Sequence, residues 1–333
     1  MKRRIITILL AALLALTSVP LPTFAASETV QVGTVVNVRK NVNVRTRTSA
    51  DAALLGVADK GNKYTVLEKT SGWYKVLFNG QIGYIKSDYL SVKKVKTALS
   101  KDATLKVGSF NVHALGGGKK VDEVAKLIHA AKLDVIGLQE VDWLAPRSGR
   151  EDWPQILAEK AGFPYYYFSP ILNMSGGKYG TLILSKQPIL YAETMSLSVA
   201  RGTEARALGY VQLLTSKGVV HMFNTHTSNG SESQKAVCFR AINDKIKAKG
   251  LSAYFITGDF NASPEVLARY LPKGVRLANE KLPTFGSGGN GRAIDNIVHT
   301  SNVKVSKLKV TDAIGPRISD HNLLTATVKI PRK

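Results

Sequence analysis

The sequence predicts two folded parts, a small β-barrel over residues 30–93 and a layered α/β domain over residues 105–330. In the first part, short apolar strands alternate with turn residues and no helical pattern is present, which is typical of a small barrel. From Leu105 onward, strand patterns alternate with helical patterns, which indicates an α/β domain. With 333 residues, the chain is long enough to bury a core in each part.

Residues 1–26 have the three parts of a secretory signal peptide. Residues 2–4 are basic, an apolar run extends from Ile5 to Leu16, and small residues precede a cleavage point at Ala25 or Ala26. The apolar run is too short to span a membrane, and no later stretch is long and apolar enough to do so. We therefore expect an exported protein, secreted, extracellular or associated with the cell wall, with no membrane span after signal cleavage.

The small β-domain has a strong hairpin signal at Asn79 and Gly80, between two strand patterns. Its motifs Asn43–Arg45, Gly72–Val76 and Gly83–Leu90 occur in the order found in bacterial SH3-like domains, which residues 30–93 resemble. The resemblance implies that this part binds a cell-wall polymer and carries no chemistry. Residues 94–104 are rich in Lys, Ser and Ala, and we predict a solvated linker there.

The α/β domain shows strand patterns at residues 105–111, 133–140, 179–185, 207–214, 219–226, 253–257, 293–298, 303–310 and 319–328. Helical spacing of apolar residues appears at 121–131 and 233–249. A further helix is expected after residue 262, with Ser263 as its N-cap and Pro264 in its first position.

Polar residues repeatedly end these apolar strands. Taken singly, each has an ordinary explanation as a turn residue, a surface charge or a hydrogen-bonded core histidine. Their recurrence in separate units favours one shared site at one edge of a sheet pair. In the segment after residue 257, Asp259 and Asn261 lie on one face and Phe260 on the other, and such a carboxylate–amide pair suits a divalent cation and water activation. The strand-end residues are Asn111, Glu140, His226, Asp259, Asn261, Asp295, Asp320 and His321.

The motifs around these residues resemble the endonuclease/exonuclease/phosphatase superfamily, which includes deoxyribonucleases, apurinic-site endonucleases, sphingomyelinases and inositol phosphatases. They occur in the family order at Ser109–Asn111, Gly137–Val141, Tyr179–Gly180, Asn224–His226, Gly258–Asn261, Ile294–Asp295 and Ser319–His321. The resemblance implies a four-layer α/β/β/α sandwich with two mixed sheets and a site where the strand ends meet.

The resemblance also implies roles for individual residues. Glu140, Asn111 and Asp320 are expected to hold Mg²⁺, with Mn²⁺ or Ca²⁺ as alternatives. Asp259 is expected to activate water. The remaining expected roles are substrate binding by Asn111 and Arg206, phosphate contacts by His226, His321, Asn261 and Tyr179, and orientation of His321 by Asp295. No covalent nucleophile is needed for such a reaction, and Cys238 has no activating signature.

The formal net charge of +22 favours a polyanionic partner, since both parts of the chain are basic. Together with the two resemblances, this charge predicts an exported, Mg²⁺-dependent phosphodiesterase, a nuclease with nucleic acid as substrate, held at the wall by the SH3-like domain. Two alternatives are a lipid-headgroup phosphodiesterase or phosphatase and a non-enzymatic wall-binding protein. The sequence leaves DNA or RNA, endo- or exo-cleavage and oligomeric state open.

Overall fold

The computed structural model of this protein describes residues 29–286 and 290–332. The predicted signal peptide therefore lies outside the described residues. The described part contains one seven-stranded sheet and two six-stranded sheets. None of its helices is long and apolar enough to cross a membrane.

The seven-stranded sheet forms the predicted small β-domain. Its strands are β1 (Thr29–Val35), β2 (Asn41–Arg45), β3 (Leu54–Asp59), β4 (Lys63–Thr70), β5 (Trp73–Phe78), β6 (Gln81–Lys86) and β7 (Leu90–Lys96). They follow the spatial order β3-β2-β6-β5-β4-β1-β7. The predicted hairpin joins β5 to β6, and both Asn79 and Gly80 have the positive φ angles that this two-residue turn requires.

The linker prediction is wrong at both of its ends. Residues 94–96 lie in β7, whose Lys96 pairs with Thr29 of β1, because Val95 packs against the apolar cluster of Val30 and Val32. At the other end, the next strand begins at Ala103. The irregular connector is therefore residues 97–102, and it is hydrogen-bonded through Ser100 N to Lys217 O at 2.6 Å.

The α/β domain contains all the predicted strands and helices together with several that the sequence did not indicate. The strands are β8 (Ala103–Asn111), β9 (Val135–Trp143), β10 (Tyr165–Met174), β11 (Gly177–Ser185), β12 (Ile189–Leu197), β13 (Arg206–Thr215), β14 (Gly218–His226), β15 (Phe255–Asp259), β16 (Val275–Leu277), β17 (Asp295–Thr300), β18 (Lys304–Thr311) and β19 (Leu323–Ile330). The helices are α1 (Val121–Ala130), α2 (Trp153–Ala161), α3 (Glu232–Ala248) and α4 (Pro264–Ala268).

The two six-stranded sheets are mixed, with the orders β10-β11-β9-β8-β19-β18 and β12-β13-β14-β15-β17-β16. Three apolar layers hold the sandwich together. Val107 and Phe255 lie in the layer between the sheets, Ile128 and Leu157 join α1 and α2 to the first sheet, and Phe239 joins α3 to the second. The predicted four-layer α/β/β/α sandwich is confirmed.

The small β-domain packs directly on the sandwich. Thr65, fully buried in β4, donates to Leu190 O at 2.8 Å, and Lys63 N donates to the Tyr165 hydroxyl at 2.8 Å. Val30 and Val32 of β1 add a separate apolar cluster with the sandwich. The contacted residues Tyr165, Leu190 and Val219 lie at the starts of β10, β12 and β14, so the β-domain covers the end of the sandwich opposite the carboxyl end of β14.

The segment around Asp259 differs slightly from the prediction. The strand runs from Phe255 to Asp259 and includes Gly258, because β15 pairs in parallel with β14 up to the register pair of His226 and Asp259. A side chain at Gly258 would lie 2.7 Å from Thr225 O, so only glycine allows this close approach. Ser263 caps α4 as predicted, accepting a hydrogen bond from Val266 N.

Candidate active site

Strand register brings three of the predicted residues into one row. His226 at the end of β14 pairs with Asp259 at the end of β15, and Asp259 pairs with Asp295 at the start of β17. All three side chains are buried. His321, just before β19, joins them from the other sheet, with its Nε2 atom 3.5 Å from Asp259 Oδ2.

Asn111 connects the two sheets at this edge. Its amide nitrogen donates to Glu140 Oε1 at 3.0 Å and to Asp259 Oδ2 at 3.0 Å, and its oxygen accepts from His113 N at 3.0 Å. Asn111 thus positions a carboxylate from each sheet. One lone pair of its oxygen remains for a further ligand.

Glu140 has a strained backbone, with a φ of 60° inside strand β9. The pairing of β9 with β11 shifts register at this point, so that Gln139 and Glu140 lie opposite the single residue Thr181. Such a bulge turns a side chain toward a new direction and is frequent beside active sites. Here it belongs to the residue whose carboxylate meets Asn111.

His321 and His226 have opposite electrostatic environments. Burial alone lowers the pKa of His321, but the charge and hydrogen bond of Asp295 and the charge of Asp259 outweigh it and raise the pKa to about 9. Burial lowers the pKa of His226 to about 4, because the charge of Asp259 offsets it only in part. At neutral pH the site therefore contains one imidazolium, His321, and one neutral imidazole, His226.

Asp259 lies between the two histidines, with its Oδ2 atom 3.5 Å from each Nε2 atom. Burial, followed by the charge of Asp295, raises the pKa of the Asp259 carboxyl. Its Oδ1 atom accepts from Asn261 N at 2.8 Å, and the Asn261 amide lies 3.1 Å from His226 Nε2. A carboxylate with a raised pKa in this position is suited to general base catalysis.

Tyr179 and Arg206 lie on the His226 side of the site. The Tyr179 hydroxyl is 3.5 Å from His226 Nδ1, and burial together with the charge of Glu140 raises its pKa, so the phenol remains a donor. Arg206 is 4% exposed and bonds Glu204 Oε2 at 2.9 Å. Among the described atoms its Nε–H has no acceptor, which leaves a buried donor for a further group.

Asp320 lies at the rim, where its side chain is half exposed. Its Oδ1 atom is 3.2 Å from His113 Nδ1 and 3.4 Å from the Ser319 hydroxyl, which itself donates to Asn111 O at 2.7 Å. His113 was not among the residues predicted from the sequence. The sequence signal for it is its position two residues beyond Asn111. In the structure it begins a loop in which residues 113 to 118 all have positive φ angles.

The carboxylates fit a hard divalent cation, since such ions prefer oxygen ligands. Within residues 29–286 and 290–332, one group of three metal-ligating side chains has its ligand atoms within 4.8 Å of one another, and it consists of Asp259, Asp295 and His321. Because both nitrogens of a protonated His321 already face carboxylates, this group suits a histidine–carboxylate pair better than a metal. Glu140 and Asp320 offer carboxylate oxygens without that conflict.

Comparison with known proteins agrees with this geometry. The model of the endonuclease/exonuclease/phosphatase family matches residues 107–321, and the model of the bacterial SH3 domain matches residues 40–91. An endonuclease/exonuclease/phosphatase from Beutenbergia cavernae superposes with a TM-score of 0.59 at 20% identity, covering 69% of this chain and 72% of that chain. Sphingomyelinase C from Streptomyces griseocarneus superposes with a TM-score of 0.51 at 16% identity, covering 68% and 99%. At these identities the two structures show a shared fold.

Among curated proteins, YrvJ of Bacillus subtilis, assigned as an N-acetylmuramoyl-L-alanine amidase, is 33% identical over 78 residues. The match covers 23% of this chain and 15% of the amidase. The chain thus spans a small part of that relative.

Proposed function

We propose that this chain, which belongs to the endonuclease/exonuclease/phosphatase family, is an exported phosphodiesterase that cleaves nucleic acid with an activated water. Members of the family are hydrolases and are typically metal-dependent. The observation that carries the proposal is the placement of the buried Asp259 between a protonated His321 and a neutral His226. Asp259 can then act as a base, and the positively charged His321 can contact the same phosphate group of the substrate.

Asp259 is the proposed general base. Its pKa is raised by burial, which brings its basicity closer to neutral pH and makes proton transfer from water more favourable. The water oxygen attacks phosphorus as its proton passes to Asp259, and the bond to the leaving oxygen breaks. Asn261 N holds Oδ1 of the Asp259 carboxylate through a 2.8 Å bond and Asn111 holds Oδ2 at 3.0 Å, which together fix the direction of the carboxylate.

His321 is the proposed cationic donor to the scissile phosphate. Asp295 holds its Nδ1–H at 2.8 Å and keeps the ring protonated, so the charge is in place before phosphate oxygens become more negative. His226, the Tyr179 hydroxyl and the unpaired Arg206 Nε–H are the proposed contacts of the phosphate on the other side. Asn111 holds Asp259 and Glu140 in register for this step.

Glu140 and Asp320, with the oxygen of Asn111, are the residues that we propose to hold Mg²⁺, with Mn²⁺ or Ca²⁺ as alternatives. Their oxygen donors match the preference of hard cations. When bound, such an ion supplies Lewis acidity toward the phosphate oxygens.

The nucleic-acid substrate is proposed from charge. The net charge is +22, and Arg147, Arg206 and Arg292 all lie at the site. A lipid substrate would instead favour an apolar surface beside the site. The large apolar side chains most exposed in the described part of the chain are Leu54 and Val57, both in β3 of the β-domain, and a single one in the sandwich, Leu282. For this reason we place the lipid-headgroup alternative second.

The proposed location is the cell wall. The SH3-domain match and the partial likeness to an amidase support wall binding, and residues 1–26 of the sequence support export. Because the β-domain packs on the edge opposite the site, wall binding by that domain leaves the catalytic edge accessible.

Turnover assays test the proposal. The mature protein is incubated with Mg²⁺ and plasmid DNA, RNA, sphingomyelin or a simple phosphodiester, alongside Asp259→Ala and His321→Ala. We expect cleavage of nucleic acid by the wild type and loss of cleavage in both variants. Absence of turnover of any substrate, or turnover that survives both substitutions, rejects an enzymatic function. Turnover of sphingomyelin alone selects the lipid alternative.

A further inference from the structure

Phe285 packs against the proposed catalytic His321. The ring centroids are 4.8 Å apart at an interplanar angle of 62°, an edge-to-face contact. Phe285 is only partly buried, and its backbone forms isolated bridges to both His321 and Arg292. Main-chain hydrogen bonds between Phe285 and Arg292, at 2.8 and 3.0 Å, hold the two residues side by side.

Arg292 stacks on the same ring, with its guanidinium carbon 4.8 Å from the Phe285 centroid. Its side chain is exposed, and none of the described carboxylates lies within ion-pair distance of it. Stacking on an aromatic ring limits the freedom of the guanidinium while all five N–H donors remain available. The result is an oriented cation, one ring away from His321, without an acidic partner among residues 29–286 and 290–332.

Arg147 also stacks on an aromatic ring, but its guanidinium is not available to bind a phosphate. Its guanidinium lies 5.1 Å from the Tyr179 centroid, and Tyr179 contacts His226. However, Arg147 makes a two-pronged ion pair with the fully buried Asp142, at 2.8 and 2.7 Å. Of the two stacked arginines at the site, therefore, Arg292 is the one without a carboxylate partner in the described part of the chain.

We infer that Arg292, oriented by Phe285, binds the phosphate that follows the scissile phosphate along a polynucleotide. This rests on the proposed function, because His321 must hold the scissile phosphate. A guanidinium recognises a phosphate through paired N–H donors, and the contact adds affinity without reading base identity. A monoester or a lipid headgroup with a single phosphate has no group for this position. The subsite therefore favours chains of phosphodiesters over single ones.

The test compares Arg292→Gln with the wild type on two substrates, a dinucleoside monophosphate and an oligonucleotide with phosphates on both sides of the scissile one. We expect the loss of kcat/KM on the oligonucleotide to exceed that on the dinucleoside monophosphate by about tenfold. The dependence of log affinity for the oligonucleotide on log salt, measured in EDTA, is expected to become shallower by about 0.7–0.9.

Two further variants sharpen the test. Arg240→Gln removes an exposed arginine on the outer face of α3 and is expected to change neither quantity. Arg292→Lys keeps the charge without the planar fork and is expected to give an intermediate loss. Equal losses of kcat/KM on both substrates in Arg292→Gln would overturn the inference. An unchanged salt dependence of oligonucleotide affinity in that variant would also overturn it. If the wild type cleaves neither substrate, the proposed function fails, and the salt dependence of binding still decides the role of Arg292.

Discussion

His321 Nδ1 lies 2.8 Å from Asp295 Oδ2, and both side chains are almost completely buried. A buried imidazolium is costly unless a carboxylate compensates its charge, and Asp295 provides that compensation at hydrogen-bond distance. The opposite ring nitrogen is left to face Asp259 at 3.5 Å. The pair therefore fixes both the orientation and the protonation state of the histidine.

The first prediction concerns the proton on His321. In the metal-free protein we expect the ring to titrate near pH 9, and Asp295→Asn to lower that pKa substantially, because burial then acts without its main counter-charge. Titration followed by NMR of the imidazole measures both values. In the pH–rate profile, the alkaline limb should move to lower pH in the variant. A His321 pKa that is the same in both proteins would contradict this prediction.

The same pair makes stability depend on pH. Folding raises the pKa of His321 from 6.5 to about 9, so the folded state binds the proton more tightly than the unfolded state. The stabilisation is fully present below pH 6.5 and is lost as the pH rises through about 9. His226 acts in the opposite direction, because folding lowers its pKa to about 4, and its contribution is lost as the pH falls from 6.5 toward that value. Urea unfolding at several pH values measures both effects.

The second prediction is that Asp259→Asn separates activity from stability. We expect kcat to fall by about 10²- to 10⁴-fold, the usual contribution of a general base. Because burial and the charge of Asp295 both disfavour the Asp259 carboxylate, the variant should be at least as stable as the wild type. Thermal unfolding and single-turnover kinetics measure the two quantities. A strongly destabilised variant would mean that Asp259 has a structural role.

Much of the site could be predicted because its residues end apolar strands. Asn111, His226 and Asp259 are each the last residue of a strand, where a polar side chain after an apolar run is visible in the sequence. The fold followed from the same alternation of strand and helix patterns. These are local properties, which a single sequence records.

The features that were missed depend on distant contacts or on local backbone strain. The bulge at Glu140 exists only where β9 meets β11, and the ring of Phe285 reaches His321 only in the folded chain. The packing of the β-domain rests on pairs such as Thr65 with Leu190, which are 125 residues apart. Helix α2 was also missed, because its apolar face is short and because it begins with Trp153 and Pro154, which do not suggest a helix interior.

The third prediction concerns the metal site. Mg²⁺ should raise the melting temperature of the wild type, and EDTA should reverse the shift, because a ligand that binds only the native state adds about 2.7 kcal/mol at a hundredfold excess over its Kd. Glu140→Gln should abolish the shift. Glu159→Gln, on the exposed side of α2, is the matched control and should retain it. An equal shift in both variants would exclude Glu140 as a ligand.

The fourth prediction concerns Asn224, which joins the two sheets beneath the site. Its amide nitrogen donates to Leu138 O and Leu182 O at 3.0 and 3.2 Å, and its oxygen accepts from Gln139 and Thr257. Asn224→Ala leaves several buried polar groups unpaired, each costing about 1–3 kcal/mol. We expect a loss of unfolding free energy of about 4 kcal/mol, near the upper end for single substitutions.

Thr181→Val is the control for this change. Thr181 lies in β11 of the facing sheet, and its buried hydroxyl has no partner among the described atoms. Removing that hydroxyl should leave stability unchanged or slightly improved, since no hydrogen bond is lost. Denaturant titrations of both variants give the comparison. Similar free energies of unfolding for Asn224→Ala and Thr181→Val would show that the hydrogen bonds of Asn224 contribute little.

The fifth prediction tests the packing of the β-domain on the sandwich. A side chain at Gly80 would lie 2.5 Å from the Tyr167 ring, whereas one at Gly72 meets no atom within 4 Å. Their φ angles are 80° and 79°, so valine at either position carries the same backbone strain of about 1–2 kcal/mol. Gly80→Val adds a clash at the interface. We therefore expect it to have the lower melting temperature and the faster proteolytic cleavage in residues 97–102. Equal behaviour of the two variants would mean that the interface contributes no stability, and the β-domain would then act as an independent tether.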